Sequence, residues 1–303
     1  MSARWLILAA PLLLAACTTI TAPTPLADAG RGQRAWAAAC ADNDGWDKPG
    51  PPFRIYGHTY HVGTCGITAL LVAGPGGHTL IDSATDKGAQ IVLANIRALG
   101  FDPKDVKTIL MSHEHFDHVG GMARLQAETG ATIVASAVAA QVLRGGTPDA
   151  ADPQAASGHP PFAPVTGKIE LAHEDRQVLA RFSPLFTPGH SPGAMSWWWH
   201  DVEDGEWLTL NYIDSLSAIS AVSYRFSDHP EYVTKYRGGL ARVATMGCGL
   251  LLTPHPSASD MRKRILAGAL REDRTQCAGY AARRLAQLEE RLASEAQTGR
   301  TGG

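Results

Sequence analysis

Ser112-His113-Glu114-His115-Phe116-Asp117-His118 crowds three imidazoles and two carboxylates into seven residues, directly behind the apolar run Thr108-Ile109-Leu110-Met111. A solvated polar turn would account for one such histidine, not for this crowding. His113 and His115 alternate, so in an extended segment leaving a strand they project to one side, while Asp117 and His118 fall where a helix could begin and point elsewhere. One stretch can therefore feed two neighbouring ions. Zinc accepts imidazole nitrogen and carboxylate oxygen at about 2.0 to 2.2 Å, and a catalytic ion keeps a position open for water.

Two ions need more ligands than one loop supplies, and the chain offers two further histidines in matching settings. His190 lies in Thr187-Pro188-Gly189-His190-Ser191-Pro192-Gly193, just after the run Phe182-Ser183-Pro184-Leu185-Phe186. The prolines and glycines around it force a turn where that strand ends. His255 lies in Thr253-Pro254-His255-Pro256, after Leu250-Leu251-Leu252, and is restrained by a proline on each side. Three strand ends thus deliver five histidines and one aspartate, enough for two ions with three protein ligands each.

These stretches resemble the metallo-β-lactamase superfamily, whose pattern is H-x-H-x-D-H plus two later histidines, and within it subclass B3. Leu80-Ile81-Asp82-Ser83, residues 111–121 and 187–193, Tyr212-Ile213-Asp214-Ser215-Leu216-Ser217-Ala218 and residues 251–256 carry the resemblance. It implies an α/β fold, the αββα sandwich of two mixed sheets with helices on the outer faces. It implies that His113, His115 and His190 hold one zinc ion, and that Asp117, His118 and His255 hold the second. Ser215 stands where another subclass places a cysteine ligand, so no thiol serves the second ion. The implied activity is hydrolysis of the β-lactam amide of penicillins, cephalosporins and carbapenems by a zinc-held hydroxide oriented by Asp117. Ser215 and Ser217 would meet the substrate carboxylate, with Gln154 lining the cleft. The rival within the superfamily is a glyoxalase II-like thiolesterase or a lactonase. Those branches bridge the ions with an acidic residue, and Asp214 is the candidate here. A rival of another class is an exported metal-binding lipoprotein without turnover, which would close its ligand set.

Composition suits an enzyme acting on a small molecule. Lys+Arg 27 against Asp+Glu 29 gives formal charge −2, without the basic footprint that nucleic-acid binding needs. Forty-five per cent hydrophobic residues over 303 positions suffice for one large core, and a monomer is expected. Arg4 precedes an apolar run, residues 5–16, that is too short to span a bilayer and suits a secretory signal. Leu14-Ala15-Ala16-Cys17 resembles a lipoprotein processing box, so Cys17 is the candidate for lipidation; cleavage after Ala27-Asp28-Ala29 is the alternative. The expected plan is a signal peptide over 1–16, a flexible spacer over 17–35, the catalytic domain over 36–297 and a disordered tail over 298–303. The mature enzyme would sit in the periplasm, anchored to the outer membrane.

Four cysteines remain beyond Cys17, and an oxidising compartment favours pairing them. Three pairings are formally open. Chain order suggests Cys40 with Cys65 and Cys248 with Cys277, and the resemblance implies the second pair, tying the strand before His255 to the last helix.

Periodicity gives strands near 53–62, 67–72, 78–82, 108–112 and 132–135, with helices near 86–99 and 119–129. The second half repeats the plan, with strands near 168–171, 178–186, 194–200, 207–212 and 250–253 and helices near 231–244 and 275–296. Residues 145–165, rich in Pro, Ala and Gly, read as a long loop. Asp82 either backs a metal-bound histidine or only ends a strand. Glu114 has no assigned role. Trp197-Trp198-Trp199 should turn two rings to one face for core packing. His58, His61, His78, His159, His173, His200 and His229 read as surface or strand histidines.

Overall fold

The computed structural model describes residues 29–41, 45–271 and 275–301. The signal segment and Cys17 therefore lie outside the described residues. Strands β1 (Phe53–Tyr56), β2 (Thr59–His61), β3 (Leu70–Val72), β4 (His78–Ile81), β5 (Val106–Leu110), β6 (Thr132–Ala135) and β7 (Ile169–Leu171) form one sheet in sequence order. The first four pair antiparallel and the last four parallel. A second sheet holds β8 (Ser183–Phe186), β9 (Met195–Glu203), β10 (Glu206–Tyr212) and β11 (Leu250–Leu252), in the order β11-β10-β9-β8. Here β8, β10 and β11 all run the same way, because each of the first two is antiparallel to β9 and β11 is parallel to β10.

The sheets face each other across apolar side chains that alternate along the strands. Trp197, Trp199, Leu210 and Tyr212 from the second sheet join Leu70, Leu80, Ile109 and Leu110 from the first in one buried core. Trp198, between the two buried rings, is only half-buried, as period-2 alternation requires. Indole N–H groups inside a core need acceptors. Trp197 Nε1 finds the Met111 carbonyl at 2.8 Å and so links the sheets beside the histidine-rich loop.

Helices α2 (Asp86–Ala98), α4 (Met122–Thr129) and α5 (Ala137–Gly145) follow β4, β5 and β6. The four-residue helix α3 (Phe116–Val119) opens inside the histidine motif itself. On the other side α6 (Pro230–Thr245) and α8 (Gln276–Thr301) bury Val233, Tyr236, Leu240, Tyr280 and Leu288 against the second sheet. The result is an αββα sandwich, as the resemblance implied. Both disulfides, Cys40–Cys65 and Cys248–Cys277, are present.

Several expectations change. Helix α1 (Ala29–Ala39) takes residues 29–35 out of the expected spacer. Its Trp36, Ala37 and Cys40 fall on one face at helical spacing and are buried. Gly32 allows the approach, since a Cβ there would lie 3.0 Å from Phe53 Cβ. Residues 53–62 form two strands rather than one, parted by a turn at Gly57-His58. Of residues 178–186 only Ser183–Phe186 is strand, because Leu179 and Ala180 take positive φ in a turn closed by the Val178 amide on the Phe182 carbonyl. Strand β7 joins the first sheet, not the second. Helices α5 and α7 (Met261–Leu266) fill stretches given no element in the sequence reading, and α8 runs on to Thr301, into the stretch 298–303 expected as a tail.

Candidate metal centre

In sheets with parallel strands, ligands gather beyond the strand carboxyl ends. Here that edge collects Asp82 after β4, residues 112–118 after β5, residues 187–193 after β8, residues 213–217 after β10 and His255 after β11. His113, His118 and His190 are buried, His115 and Asp117 nearly so.

The six sequence-derived candidates come together in two groups. His118 Nε2, His255 Nε2 and Asp117 Oδ2 form a triangle with all three sides 3.2 Å. His115 Nδ1 and His190 Nε2 are also 3.2 Å apart, and His113 stands beside both with its ring centroid 4.7 Å from each. The donor atoms of His113, His115 and His190 lie within 4.8 Å of one another, as do those of His113, Asp117 and His118, so the two groups adjoin. Ligands at about 2.0 to 2.1 Å from a tetrahedral ion are about 3.3 Å apart, which matches the four 3.2 Å spacings. His113 Nε2 is buried without a hydrogen-bond partner among the described residues. The donors therefore fit zinc.

His115, His190 and His255 donate from the outer nitrogen to an oxygen that can only accept, which fixes the tautomer and aims the other nitrogen inward, while His113 and His118 have a carboxylate oxygen near theirs without a hydrogen bond. Asp214 Oδ1 lies 2.8 Å from His113 Nδ1. Asp152 Oδ2 accepts from His115 Nε2 at 3.0 Å. The Ser217 carbonyl accepts from His190 Nδ1 at 3.0 Å, and the Gly66 carbonyl from His255 Nδ1 at 3.1 Å. Asp82 Oδ2 lies 3.4 Å from His118 Nδ1. Asp82 is itself held by the Ser112 amide at 2.6 Å, the Ser112 hydroxyl at 2.7 Å and the Tyr212 hydroxyl at 2.7 Å. Those bonds maintain Asp82 at φ 62°, a left-handed conformation costing a non-glycine residue about 1 kcal/mol or more.

The charges follow from these contacts. Burial opposes charge on His118, but Asp117 and Asp82 outweigh it and raise its pKa to about 10. Burial would raise Asp117, yet His118 and His255 hold it well below the usual carboxylate range. His115 is raised because Asp152 outweighs burial. His113 and His190 are pushed well down, first by burial and then by neighbouring imidazoles. Burial lifts Asp214 to about 7 against its backbone hydrogen bonds.

Glu114, left without a role above, is buried and clamps the turn that carries His190. Its Oε2 accepts from Ser191 Oγ and its Oε1 from the Gly193 amide, both at 2.7 Å. Gly193 is needed there, because a Cβ would lie 2.7 Å from Glu114 Oε2 and 2.8 Å from Ser136 Oγ. Asp82 takes the histidine-backing place that the sequence left open. Asp214 does the same for His113 and does not lie between the groups. Of the substrate-binding candidates, Ser215 Oγ and Gln154 Nε2 are buried without hydrogen-bond partners among the described residues. Ser217 Oγ is instead engaged 2.9 Å from His190 Nδ1. Asp152 and Trp46 escaped the sequence reading. Trp46 is 36% exposed, with its ring 6.5 Å from those of His255, Phe116 and His159, and so walls the site from above the second group. A lone Trp in a polar loop, Gly45-Trp46-Asp47, was the available signal for it.

A sandwich that gathers histidines and aspartates at the shared ends of its two sheets is the architecture of a metal-dependent hydrolase. Residues 62–204 match the metallo-beta-lactamase superfamily. MIM-2 Metallo-Beta-Lactamase is similar at 52% identity and a TM-score of 0.81, over 87% of this chain and 98% of that one. MIM-1 from Novosphingobium pentaromativorans is similar at 45% identity and 0.81, with the same coverage. MEM-A1, a subclass B3 metallo-beta-lactamase isolated from a soil metagenome library, is 38% identical with a TM-score of 0.79, over 84% of this chain and 99% of that one. A shorter likeness, 38% over 77 residues, links the chain to the N-acyl homoserine lactonase AttM of Rhizobium radiobacter and covers only 29% of that protein. The chain belongs to the metallo-beta-lactamase superfamily and, within it, to subclass B3.

Proposed function

We propose that the chain is a zinc β-lactamase that opens the lactam amide of penicillins, cephalosporins and carbapenems and so gives resistance. On this reading His113, His115 and His190 hold one ion, and Asp117, His118 and His255 the other. The observation that carries it is the pair of adjoining donor groups, Asp117, His118 and His255 at 3.2 Å from one another and His113, His115 and His190 within 4.8 Å. Zinc bound there would acidify a water and polarise the lactam carbonyl.

The chain's own residues do the rest. Asp117 spends Oδ2 on His118 and His255, which leaves Oδ1 to accept a hydrogen bond from the attacking water and orient it. Ser215 Oγ donates to the substrate carboxylate, and Gln154 Nε2 lines the opposite side. Trp46, with its ring 6.5 Å from that of His255, offers an apolar wall to the substrate beside the second group. Addition of water breaks the C–N bond, with hydroxyl to the carbonyl carbon and a proton to the leaving nitrogen. The enzyme is exported and acts in the periplasm as a monomer, with Cys17 as its lipid anchor to the outer membrane. No helix among the described residues is long and apolar enough to cross a membrane.

A lactonase or glyoxalase II-like thiolesterase is the second reading, favoured by the likeness to AttM. Against it stands Asp214, whose carboxylate faces the outer nitrogen of His113 instead of the space between the groups. The test is turnover of a carbapenem, a cephalosporin, an acyl homoserine lactone and a glutathione thiolester by the zinc-loaded chain. Lactam opening should be lost with dipicolinate and be indifferent to clavulanate, which traps an acyl-serine. Turnover of the lactone or thiolester alone would replace the first reading by the second.

A further inference from the structure

The loop between α5 and β7 meets the metal centre through one buried carboxylate. Asp152 is 3% exposed, and its two oxygens serve different masters: Oδ2 accepts from His115 Nε2 at 3.0 Å, Oδ1 from the Gln154 amide at 2.7 Å. Around it the loop is a compact turn, with the Asp152 amide on the Asp149 carbonyl, Ala155 on Asp152 and Ser157 on Gln154. The turn also holds the segment beyond Ser217, since the Ala221 amide donates to the Pro153 carbonyl at 2.8 Å. Ile219 in that segment is 56% exposed at its surface.

We propose that Asp152 is a positioning residue that couples the first metal site to the 149–157 turn and, through Pro153, to the segment carrying Ser215, Ser217 and Ile219. The proposal rests on the reading of His115 as a metal ligand. A neutral imidazole can carry its proton on either nitrogen, so without an ion the bond between His115 and Asp152 is one of two choices. An ion on Nδ1 forces the proton onto Nε2 and fixes the ring, so the bond to Asp152 becomes obligatory. Linkage makes the effect reciprocal: the factor by which the docked turn tightens zinc equals the factor by which zinc favours the docked turn. Loss of such a backing carboxylate typically weakens metal binding about 10- to 100-fold. Occupancy of the first site therefore sets where Gln154 and Ile219 stand, and with them the shape offered to the substrate.

The experiment compares wild type, Asp152→Ala and Asp152→Asn by chelator-competition zinc titration and by hydrogen exchange with and without zinc. Wild type should bind two ions and show slower exchange with zinc at the amides of Gln154, Ala155, Ser157 and Ala221. Asp152→Ala should bind one of the ions about 10- to 100-fold more weakly and lose the zinc dependence of exchange. Asp152→Asn keeps an acceptor and should fall between. Equal zinc affinity in all three, or exchange at those amides indifferent to zinc in wild type, overturns the coupling while leaving the ligands intact. A wild type that takes up no zinc overturns the ligand assignment itself.

Discussion

Replacing Glu114 by Ala should loosen the turn bearing His190 without touching a metal donor. The substitution removes the cost of burying a carboxylate together with its two hydrogen bonds, so the net effect comes from what is left behind. Ser191 Oγ can rotate to another acceptor, but the Gly193 amide, pinned where no side chain fits, cannot. An unsatisfied buried amide costs about 1 to 3 kcal/mol. A domain has roughly 5 to 15 kcal/mol to lose, so the variant should fold, with a lower denaturation midpoint and an unchanged m-value. His190 should then be presented less rigidly, which predicts about 10-fold faster loss of zinc to a chelator. Glu114→Gln is the control: its carbonyl can accept from Gly193 and its amide can donate to Ser191 Oγ, so most of both losses should return. Urea unfolding of the metal-free protein and zinc release to a chromophoric chelator read the two effects separately. Wild-type values for Glu114→Ala in both assays would show that the clamp holds nothing.

The remaining expectations concern distinct parts of the molecule. Ser215→Ala should keep two zinc ions and chiefly raise KM for a carbapenem, by roughly 1.5 to 3 kcal/mol of binding, while Asp214→Ala should weaken zinc binding through His113; a silent Ser215→Ala would move the carboxylate contact elsewhere. His61 is buried with neither ring nitrogen partnered among the described residues, and burial lowers its pKa to about 3. The unfolded chain takes up a proton there below pH 6.5 and the folded chain does not, so stability is complete above pH 6.5 and falls as pH drops towards 3. About 2 kcal/mol should be gone at pH 5, a slope that His61→Leu should abolish in denaturant titrations. Opening Cys248–Cys277 by a double serine substitution frees a separation of 29 residues and should cost about 3 to 4 kcal/mol, with zinc stoichiometry unchanged. Zinc binding near pH 7 should release a proton, because His118 holds one in the free protein; calorimetry in buffers of different ionisation enthalpy that finds no net release would contradict this.

What was legible in the sequence was whatever is encoded locally. Five histidines and Asp117 announced themselves by density, by turn residues and by apolar runs ending at the same edge, and the strands β6 and β10 and helix α2 followed from periodicity. Pairings across the chain were not legible. Nothing near Asp152 in a loop of Ala, Pro and Gly says that it will meet His115, and the partnership depends on where a flexible-looking segment lands. Glu114 sits within the motif but points away from it, and its role exists only once β8 delivers Gly193. Helix α1 was hidden because Gly30 and Gly32 lower helix propensity, while tertiary burial of Trp36 and the bridge from Cys40 to Cys65 override it. The turn at Gly57-His58 is likewise long-range in origin, since Asp201 of β9 accepts the His58 amide there at 3.0 Å.

The backing carboxylates also bear on how the protein folds before it meets metal. Asp82, Asp117, Asp152 and Asp214 all touch the imidazole set, a formal charge of about −4 in a nearly dry place, equal and opposite to two divalent cations. Before metal binds, that charge is met in part by protons: His118 is raised to about 10 and Asp214 is lifted to about 7. The imidazole–carboxylate pairs that orient the donors are thus also ion pairs that hold the donor set together. The fold need not draw its free energy from metal binding, as some small domains do. Its scaffold is instead two apolar layers and two disulfides. Acidification then acts in one direction on metal binding and on folding: protons compete with zinc for the imidazoles, and below pH 6.5 His61 begins to withdraw its share of the stability of the fold.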